Sequence, residues 1–319
     1  MIGVAGAGAF GTALAIALAR KGLNVMLWAR DAGQARAMQI AGENARYLAG
    51  ASFPANMQIT PNSVDLAGAQ VLLLAVPMQS LGGFLRNHPQ AFSSQPLITC
   101  CKGVDLITLK GPSAVVALAY PEASIGVLTG PSFAADIARG LPTALTLAFR
   151  GSQAAALQEL LSTPTLRLYL TADIVGAELG GALKNVIAIA AGVVMGAGLG
   201  ASARAALMTR GFVEMQRMAQ ALGGNPETLT GLSGFGDLVL TCASEQSRNF
   251  RFGLALGAGQ GFNPNVTVEG AATAQAVARL AAKAGIDMPI TAMIAALISD
   301  KITLNQAVAA LMSRPLKQE

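Results

Sequence analysis

The chain has 319 residues, enough for two domains with well-buried cores, and 53% of them are hydrophobic against only 12% charged. That composition, with 36 glycines, suits close packing of helices on a sheet and excludes an intrinsically disordered chain. The net charge of +5 is small for this length, and without a Lys/Arg-rich run it gives nucleic-acid binding no footing. Cys100, Cys101 and Cys242 offer neither a disulfide framework nor metal-ligand spacing, so no metal is expected. The mean hydropathy of +0.51 raises the membrane question. Val186–Ala203 is uncharged and long enough to be a marginal span, but it is dominated by Gly and Ala. A buried helix ending in a glycine-rich loop is the expectation. The opening Met1–Val4 has no basic stretch before an apolar one, so no signal peptide is expected. These features together predict a soluble, cytoplasmic protein without a membrane span.

Ile2–Ala5 reads as a short buried strand. Gly6-Ala7-Gly8-Ala9-Phe10-Gly11 follows at once, and then an alanine- and leucine-rich helix to Arg20. Strand, glycine loop and helix in this order form the dinucleotide-binding fingerprint. Gly6 allows the tight turn, Gly8 the approach of a pyrophosphate, and Gly11 close contact between helix and strand. The helix N-terminus offers N–H groups and a positive dipole end to that pyrophosphate. Leu23–Trp28 is the expected second strand. A nicotinamide enzyme selects its cofactor at the end of this strand, where an acidic residue holds ribose hydroxyls and an arginine pairs with the extra phosphate of NADP. Arg30 occupies that point and Asp31, a possible cap of the next helix, follows it. The reading favours NADP(H), with NAD(H) possible and a solvated surface arginine as the alternative.

Val71–Pro77, Leu97–Cys100 and Ile125–Leu128 are apolar runs of strand length, as expected of buried parallel strands. They lead into Pro77, Cys101-Lys102-Gly103 and Gly130-Pro131-Ser132-Phe133-Ala134, which places polar and glycine-rich loops on one sheet edge. Thr143–Phe149 and Leu166–Leu170 read as further strands, with a helix at Gln153–Leu161 between them. From about Ala172 helical periodicity takes over. The predicted fold is therefore α/β: a Rossmann domain over 1–171 with a parallel sheet, then an all-α domain over 172–319.

In that second half, Gly181, Lys184, Asn185, Ala188 and Gly192 share one helix face by their spacing. Two readings fit Lys184. A lysine among apolar residues loses hydration and becomes a usable base, or it snorkels from a core helix to the surface. Ala203–Leu222 reads as another helix. Asp237 follows a glycine-rich loop and is open to reading as a helix N-cap. Ser247-Arg248-Asn249 is a compact trio of donors suited to a phosphate. Val268-Glu269-Gly270 opens a further helix, and Gly285–Ile302 and Thr303–Met312 complete the helical end. His88, before a proline, is expected at the surface, away from any base role.

Together, Gly6–Thr12, Leu27–Arg30, Lys102-Gly103, Gly130–Ala134, Gly180–Ala188, Gly234–Leu238, Leu240–Cys242, Ser247–Asn249 and Val268–Gly270 resemble the bacterial NAD(P)-dependent glycerol-3-phosphate dehydrogenases. The likeness runs over nearly the whole chain. It implies a helical domain of the 6-phosphogluconate dehydrogenase-like type, with the site in the cleft between the domains. It also implies reversible reduction of dihydroxyacetone phosphate to sn-glycerol 3-phosphate for phospholipid synthesis, and a homodimer. By resemblance, Lys184 is the proton donor and acceptor, with Lys102, Asn185, Asp237 and Thr241 around the substrate oxygens. Arg248 and Asn249 match the phosphate site, and Ser247, Gly130 and Ser132 the substrate lining. Ala9, Phe10, Arg30, Lys102, Ala134, Arg248 and Glu269 match cofactor contacts. The segment 259–265 is shorter than the family's usual insertion, which bears on Glu269. A related lysine enzyme acting on a 3-hydroxy acid or ketopantoate would need no phosphate clamp at Arg248 and Asn249.

Overall fold

The structure is a computed structural model that describes residues 1–88, 92 and 94–312. Among these described residues, the first half contains ten strands: β1 Ile2–Ala5, β2 Val25–Trp28, β3 Glu43–Asn44, β4 Ala49–Ser52, β5 Met57–Thr60, β6 Leu72–Leu74, β7 Leu97–Thr99, β8 Ile125–Thr129, β9 Thr143–Phe149 and β10 Leu166–Thr171. The helices among them are α1 Ala9–Arg20, α2 Ala32–Ala41, α3 Ala45–Leu48, α4 Met78–Arg86, α5 Pro112–Ala119, α6 Ala134–Arg139 and α7 Ala154–Leu161. The helical half follows with α8 Ile174–Gly196, α9 Gly200–Ala221, α10 Asp237–Cys242, α11 Arg248–Gly257, α12 Glu269–Ala284, α13 Pro289–Ile298 and α14 Leu304–Met312.

Eight strands form one sheet in the order β10-β9-β8-β7-β6-β1-β2-β5, while β3 and β4 pair separately. Every neighbouring pair in the large sheet is parallel except β8 with β9. The chain builds outward from β1 through β2 to β5, then returns to β6 on the other side of β1. This reversal of strand order leaves a crevice at the carboxyl ends of β1 and β6, the place where open α/β sheets bind ligands. Leu72, Leu73 and Leu74 of β6 are fully buried, as its uninterrupted apolar sequence requires.

The element boundaries shift for local reasons. Strand β2 starts at Val25, because Gly22 has φ +98° and the Leu23 N–H closes the end of α1 on Leu18 O. The expected single helix over 285–302 begins only at Pro289. Gly285, with φ +67°, ends α12, and proline at the first helical position starts α13. Strand β5 was not anticipated; it is a short edge strand of mixed polarity. His88 is half-buried rather than exposed. Its ring packs 5.1 Å from that of Phe84 and 6.0 Å from that of Phe92, and Ser63 Oγ lies 3.1 Å from its nitrogens. Pro89 lies outside the described residues.

Helix α8 is the axis of the second half, and nearly every residue from Gly176 to Val194 is buried. Among the described residues, the one helix long and apolar enough to cross a membrane is this one, and 89% of its apolar window is buried inside the molecule. Its five glycines each cost about 1 kcal/mol relative to alanine in a helix. Close approach offsets that cost. A Cβ at Gly192 would stand 2.2 Å from Phe250 O, and one at Gly253 on α11 would stand 2.1 Å from Ile189 O. The backbones of α8 and α11 thus touch, which fixes the start of α11, where Arg248 and Asn249 sit. Gly253→Ala therefore lowers stability by about 1–3 kcal/mol, the usual cost of overpacking. Urea denaturation checks this against Gly261→Ala, where a Cβ meets nothing within 4 Å and stability stays unchanged.

Candidate active site

The glycine loop lies in the crevice between β1 and β6. A Cβ at Gly6, whose φ is +121°, would collide with Ala75 backbone at 2.7 Å, and one at Gly11 would stand 2.1 Å from Gly6 O. Both glycines are required by the chain's own packing. Gly8 differs, because a Cβ there would meet nothing within 4 Å. As the N-cap of α1 it supplies no side-chain cap, so the first N–H groups of α1, at Ala9 and Phe10, have no side-chain acceptor. An open glycine under an uncapped helix N-terminus fits a dinucleotide pyrophosphate. Asn44 braces this loop, its Nδ2 donating to Ala7 O (2.9 Å) and to Thr12 Oγ1 (2.8 Å). No sequence signal pointed to Asn44. Beyond the end of β2, Arg30 is exposed. Asp31 caps α2, with one carboxylate oxygen accepting from Gln34 N at 2.6 Å, so that oxygen is already engaged. Ala134 opens α6 and packs, like Phe10, against the sheet core.

The second cluster lies where α8 meets the sheet edge. Lys184 donates to Asp237 Oδ1 at 2.8 Å and to Thr241 Oγ1 at 2.6 Å. Lys102, in the loop after β7, donates to Asp237 Oδ2 at 2.6 Å and to Gly130 O, after β8, at 3.1 Å. One carboxylate thus bridges two ammonium groups, at side-chain exposures of 1% for Asp237, 8% for Lys184 and 14% for Lys102. The N-cap reading of Asp237 fails. It begins α10 after the π-helical turn Leu232–Gly236, and its side chain accepts from the lysines instead of the backbone. The snorkelling reading of Lys184 fails too, because its ammonium ends in this buried network.

Small residues on α8 make the approach possible. A Cβ at Gly181 would stand 2.4 Å from Thr129 Oγ1 and 3.6 Å from Lys102 Cγ, and one at Gly180 would stand 2.5 Å from Ser233 O. Burial pushes the Lys184 ammonium down to about 8; the Asp237 charge opposes the shift, and the Lys102 charge adds to it. Lys184 thereby changes protonation state near neutral pH, as a general acid–base group must. Thr129 Oγ1 is buried beside this cluster without a hydrogen-bond partner among the described residues, a feature the sequence did not single out. Burial also pushes the thiols of Cys100 and Cys242 up to about 12, and that of Cys101 well up, so none is a usable nucleophile.

Apart from Asn185 on α8, the remaining predicted residues lie on the loop after β8 and at the starts of α11 and α12. Ser132 Oγ donates to Gly130 O at 3.4 Å. Ser247 is buried and caps α11, accepting from Phe250 N at 3.2 Å. Arg248 is exposed, and Asn249 Oδ1 accepts from Gly270 N at 3.0 Å. A Cβ at Gly270 would stand 2.7 Å from both Asn185 O and Asn249 Oδ1, so Asn185, Asn249 and the start of α12 meet at one point. Glu269 Oε1 accepts from Met78 N at 3.2 Å, which joins α12 to the start of α4 despite the short segment before it. Burial raises its carboxyl above the ordinary range, and the nearby Arg248, Lys102 and Lys184 charges oppose that rise.

A doubly wound sheet with a glycine fingerprint at its strand reversal, followed by a helical half, defines a Rossmann-type dinucleotide-binding protein. Residues 1–155 match the family model for the N-terminus of NAD-dependent glycerol-3-phosphate dehydrogenase, and residues 173–309 match that for its C-terminus. The glycerol-3-phosphate dehydrogenase [NAD(P)+] of Cereibacter sphaeroides is 60% identical over 320 residues, covering 100% of both chains. That of Paracoccus denitrificans is 58% identical, covering 100% of this chain and 99% of its own. The crystal structure of glycerol-3-phosphate dehydrogenase from Coxiella burnetii superposes with a TM-score of 0.93 at 38% identity, covering 98% of each chain. The chain belongs to the NAD-dependent glycerol-3-phosphate dehydrogenase family.

Proposed function

We propose that the chain reversibly reduces dihydroxyacetone phosphate to sn-glycerol 3-phosphate with NAD(P)H. The observation that carries the mechanism is the pair of lysines on one buried carboxylate, where burial pushes the Lys184 ammonium down to about 8. The nicotinamide cofactor, when bound, supplies the hydride. Lys184 donates a proton to the ketone oxygen in reduction and takes it back in oxidation. Lys102 stabilises negative charge building on that oxygen, and Asp237 holds both ammonium groups at the spacing the chemistry needs. Thr241, whose hydroxyl also donates to Asp237 Oδ1 at 3.3 Å, holds the same amine beside that carboxylate, and Asn185, on the same helix, faces the substrate. Arg248 and Asn249 hold the phosphate, Gly130, Ser132 and Ser247 line the substrate, and anchoring at the phosphate converts binding into orientation of the carbonyl. Gly6, Gly8, Ala9, Phe10, Gly11 and Ala134 hold the dinucleotide, while Lys102, Arg248 and Glu269 reach its nicotinamide end. The dinucleotide domain spans 1–171 and the substrate domain 172–319. A cytoplasmic homodimer supplying phospholipid synthesis completes the reading.

NADP(H) is the preferred cofactor. Arg30 is exposed beyond β2, free to pair with the ribose phosphate, while Asp31 is engaged as a helix cap. The test follows oxidation of NADPH and of NADH with dihydroxyacetone phosphate. Wild type turns over with both and prefers NADPH. Arg30→Ala raises the KM for NADPH about tenfold, the worth of one exposed charge-assisted contact, and leaves that for NADH within about twofold. Equal effects on both cofactors would return Arg30 to an ordinary surface residue, and no turnover with either would remove the assignment of substrate.

A further inference from the structure

Among the described residues, three carboxylates of the helical half cap helices other than their own: Glu178 caps α5, Glu269 caps α4 and Glu214 caps α13. Glu269 stands at a cofactor position, and Glu214 joins two helices of the same half. Glu178 is different in what it connects. It lies on α8 six residues before Lys184, and its Oε2 accepts from Ser113 N at 2.6 Å, with the Ser113 hydroxyl as a second donor. Helix α5 has no side-chain cap of its own. Its N-cap Gly111 has no room for a side chain, because a Cβ there would stand 1.8 Å from Glu178 Oε1.

The segment that ends at Gly111 is the loop from β7 that carries Lys102. Its middle is held by Gln79, which donates to Val104 O at 2.9 Å and accepts from Leu106 N at 3.0 Å, and by Arg279, which donates to Leu106 O at 2.9 Å. Glu178 holds its far end. The two lysines that share Asp237 therefore come from a loop and a helix that a single carboxylate fastens together. Glu178, Gly181 and Asn185 also share one face of α8, with Gly181 placed against Lys102 Cγ.

We infer that Glu178 is a positioning residue, a cap donated by the helix of Lys184 to α5 that keeps the Lys102 loop in register with Lys184 and Asp237. Glu178 forms no ion pair among the described residues, and burial pushes its carboxyl up to about 7 against the two Ser113 donors. The helix N-terminus is thus its principal electrostatic partner. Loss of this cap lets the Lys102 loop drift from α8. With the Lys102 charge withdrawn and the site wetter, Lys184 returns toward the ordinary lysine range.

The inference rests on the proposed role of Lys184, and its test has one arm that needs no substrate. Glu178→Ala lowers kcat for dihydroxyacetone phosphate about 10–100-fold, with KM within about threefold, as expected when reacting groups are misplaced by about 1 Å. The amide oxygen of Glu178→Gln still accepts from Ser113, so that variant recovers most of the activity. Gly111→Ala drives the carboxylate off and reproduces the loss. The double variant Gly111→Ala/Glu178→Ala is no worse than Glu178→Ala, because the methyl then fills the vacated space. Glu214→Ala, which removes a cap of the same kind within the helical half, lowers thermal stability and leaves kcat unchanged.

The second arm measures the pH dependence of Lys184 acetylation by acetic anhydride, read by mass spectrometry. The midpoint rises above about 8 in Glu178→Ala and stays at its wild-type value in Glu214→Ala. An unmoved Lys184 midpoint, or equal kcat in Glu178→Ala and Glu214→Ala, overturns the inference. Absence of turnover in wild type with a shifted midpoint in Glu178→Ala would instead fault the substrate assignment and leave the positioning role standing.

Discussion

Lys184→Ala lowers kcat/KM for dihydroxyacetone phosphate about 10³–10⁴-fold, at and above the middle of the range for a lost general acid, because charge stabilisation is lost with the proton. NADPH affinity, measured by fluorescence titration, stays within about threefold of wild type, since the glycine loop and Arg30 belong to the other half. The pH profile separates this role from that of a mere structural cation. Reduction needs the protonated amine, so wild-type kcat/KM in that direction falls about tenfold per pH unit above about 8. Oxidation of glycerol 3-phosphate needs the neutral amine, so its kcat/KM rises with pH up to about 8 and then levels. Both limbs vanish in Lys184→Ala. Limbs that persist near 8 in the variant would mean that another group moves the proton, and Lys184 would then be a fixed charge only.

Much of the architecture was legible before the structure because buried parallel strands and a fingerprint loop write themselves into consecutive residues. The apolar run at Leu72–Leu74 and the glycines at 6, 8 and 11 depend on near neighbours in the chain. Lys184 stood out for a similar reason: a lone cation in a long apolar helix. What consecutive residues do not carry is the choice of partner across the fold. Asp237 follows a glycine-rich loop at the start of a helix, as an N-cap would, and its place beside the two lysines came from the family resemblance alone; the structure brings Lys184 to one of its oxygens and Lys102 to the other. Asn44 carries no pattern, yet it supports the glycine loop from a two-residue strand. Glu178 could have been suspected, since it shares a helix face with Gly181 and Asn185. Its partner at Ser113 lies 65 residues away, beyond any periodicity. His88 was misjudged because the proline after it signals a turn and says nothing of the aromatic rings packed around it.

Asp237→Asn is the sharper test of the two-lysine arrangement, because it keeps the shape and removes only the charge. In wild type the carboxylate accepts from Lys184 on one oxygen and from Lys102 on the other. The amide would still accept through one atom but would turn an N–H₂ group toward the other ammonium. Breaking a buried charge pair in this way costs about 3–5 kcal/mol if both cations stay charged. The less costly response is for Lys184 to give up its proton, since burial and the Lys102 charge already push it downward and Asp237 is the main influence holding it up. The expected result is therefore a limb for reduction that moves from about 8 toward acid pH, with kcat/KM at pH 7 lower by about 10²–10³. The matching limb for oxidation moves with it, because one amine serves both directions. Thr241→Val, which removes a neutral partner of the same amine, lowers kcat/KM by about tenfold or less and leaves the limb close to its wild-type position. A limb that stays near 8 in Asp237→Asn would mean that the carboxylate does not set the Lys184 charge. The bridge between the two lysines would then be a packing feature and not the device that tunes the site.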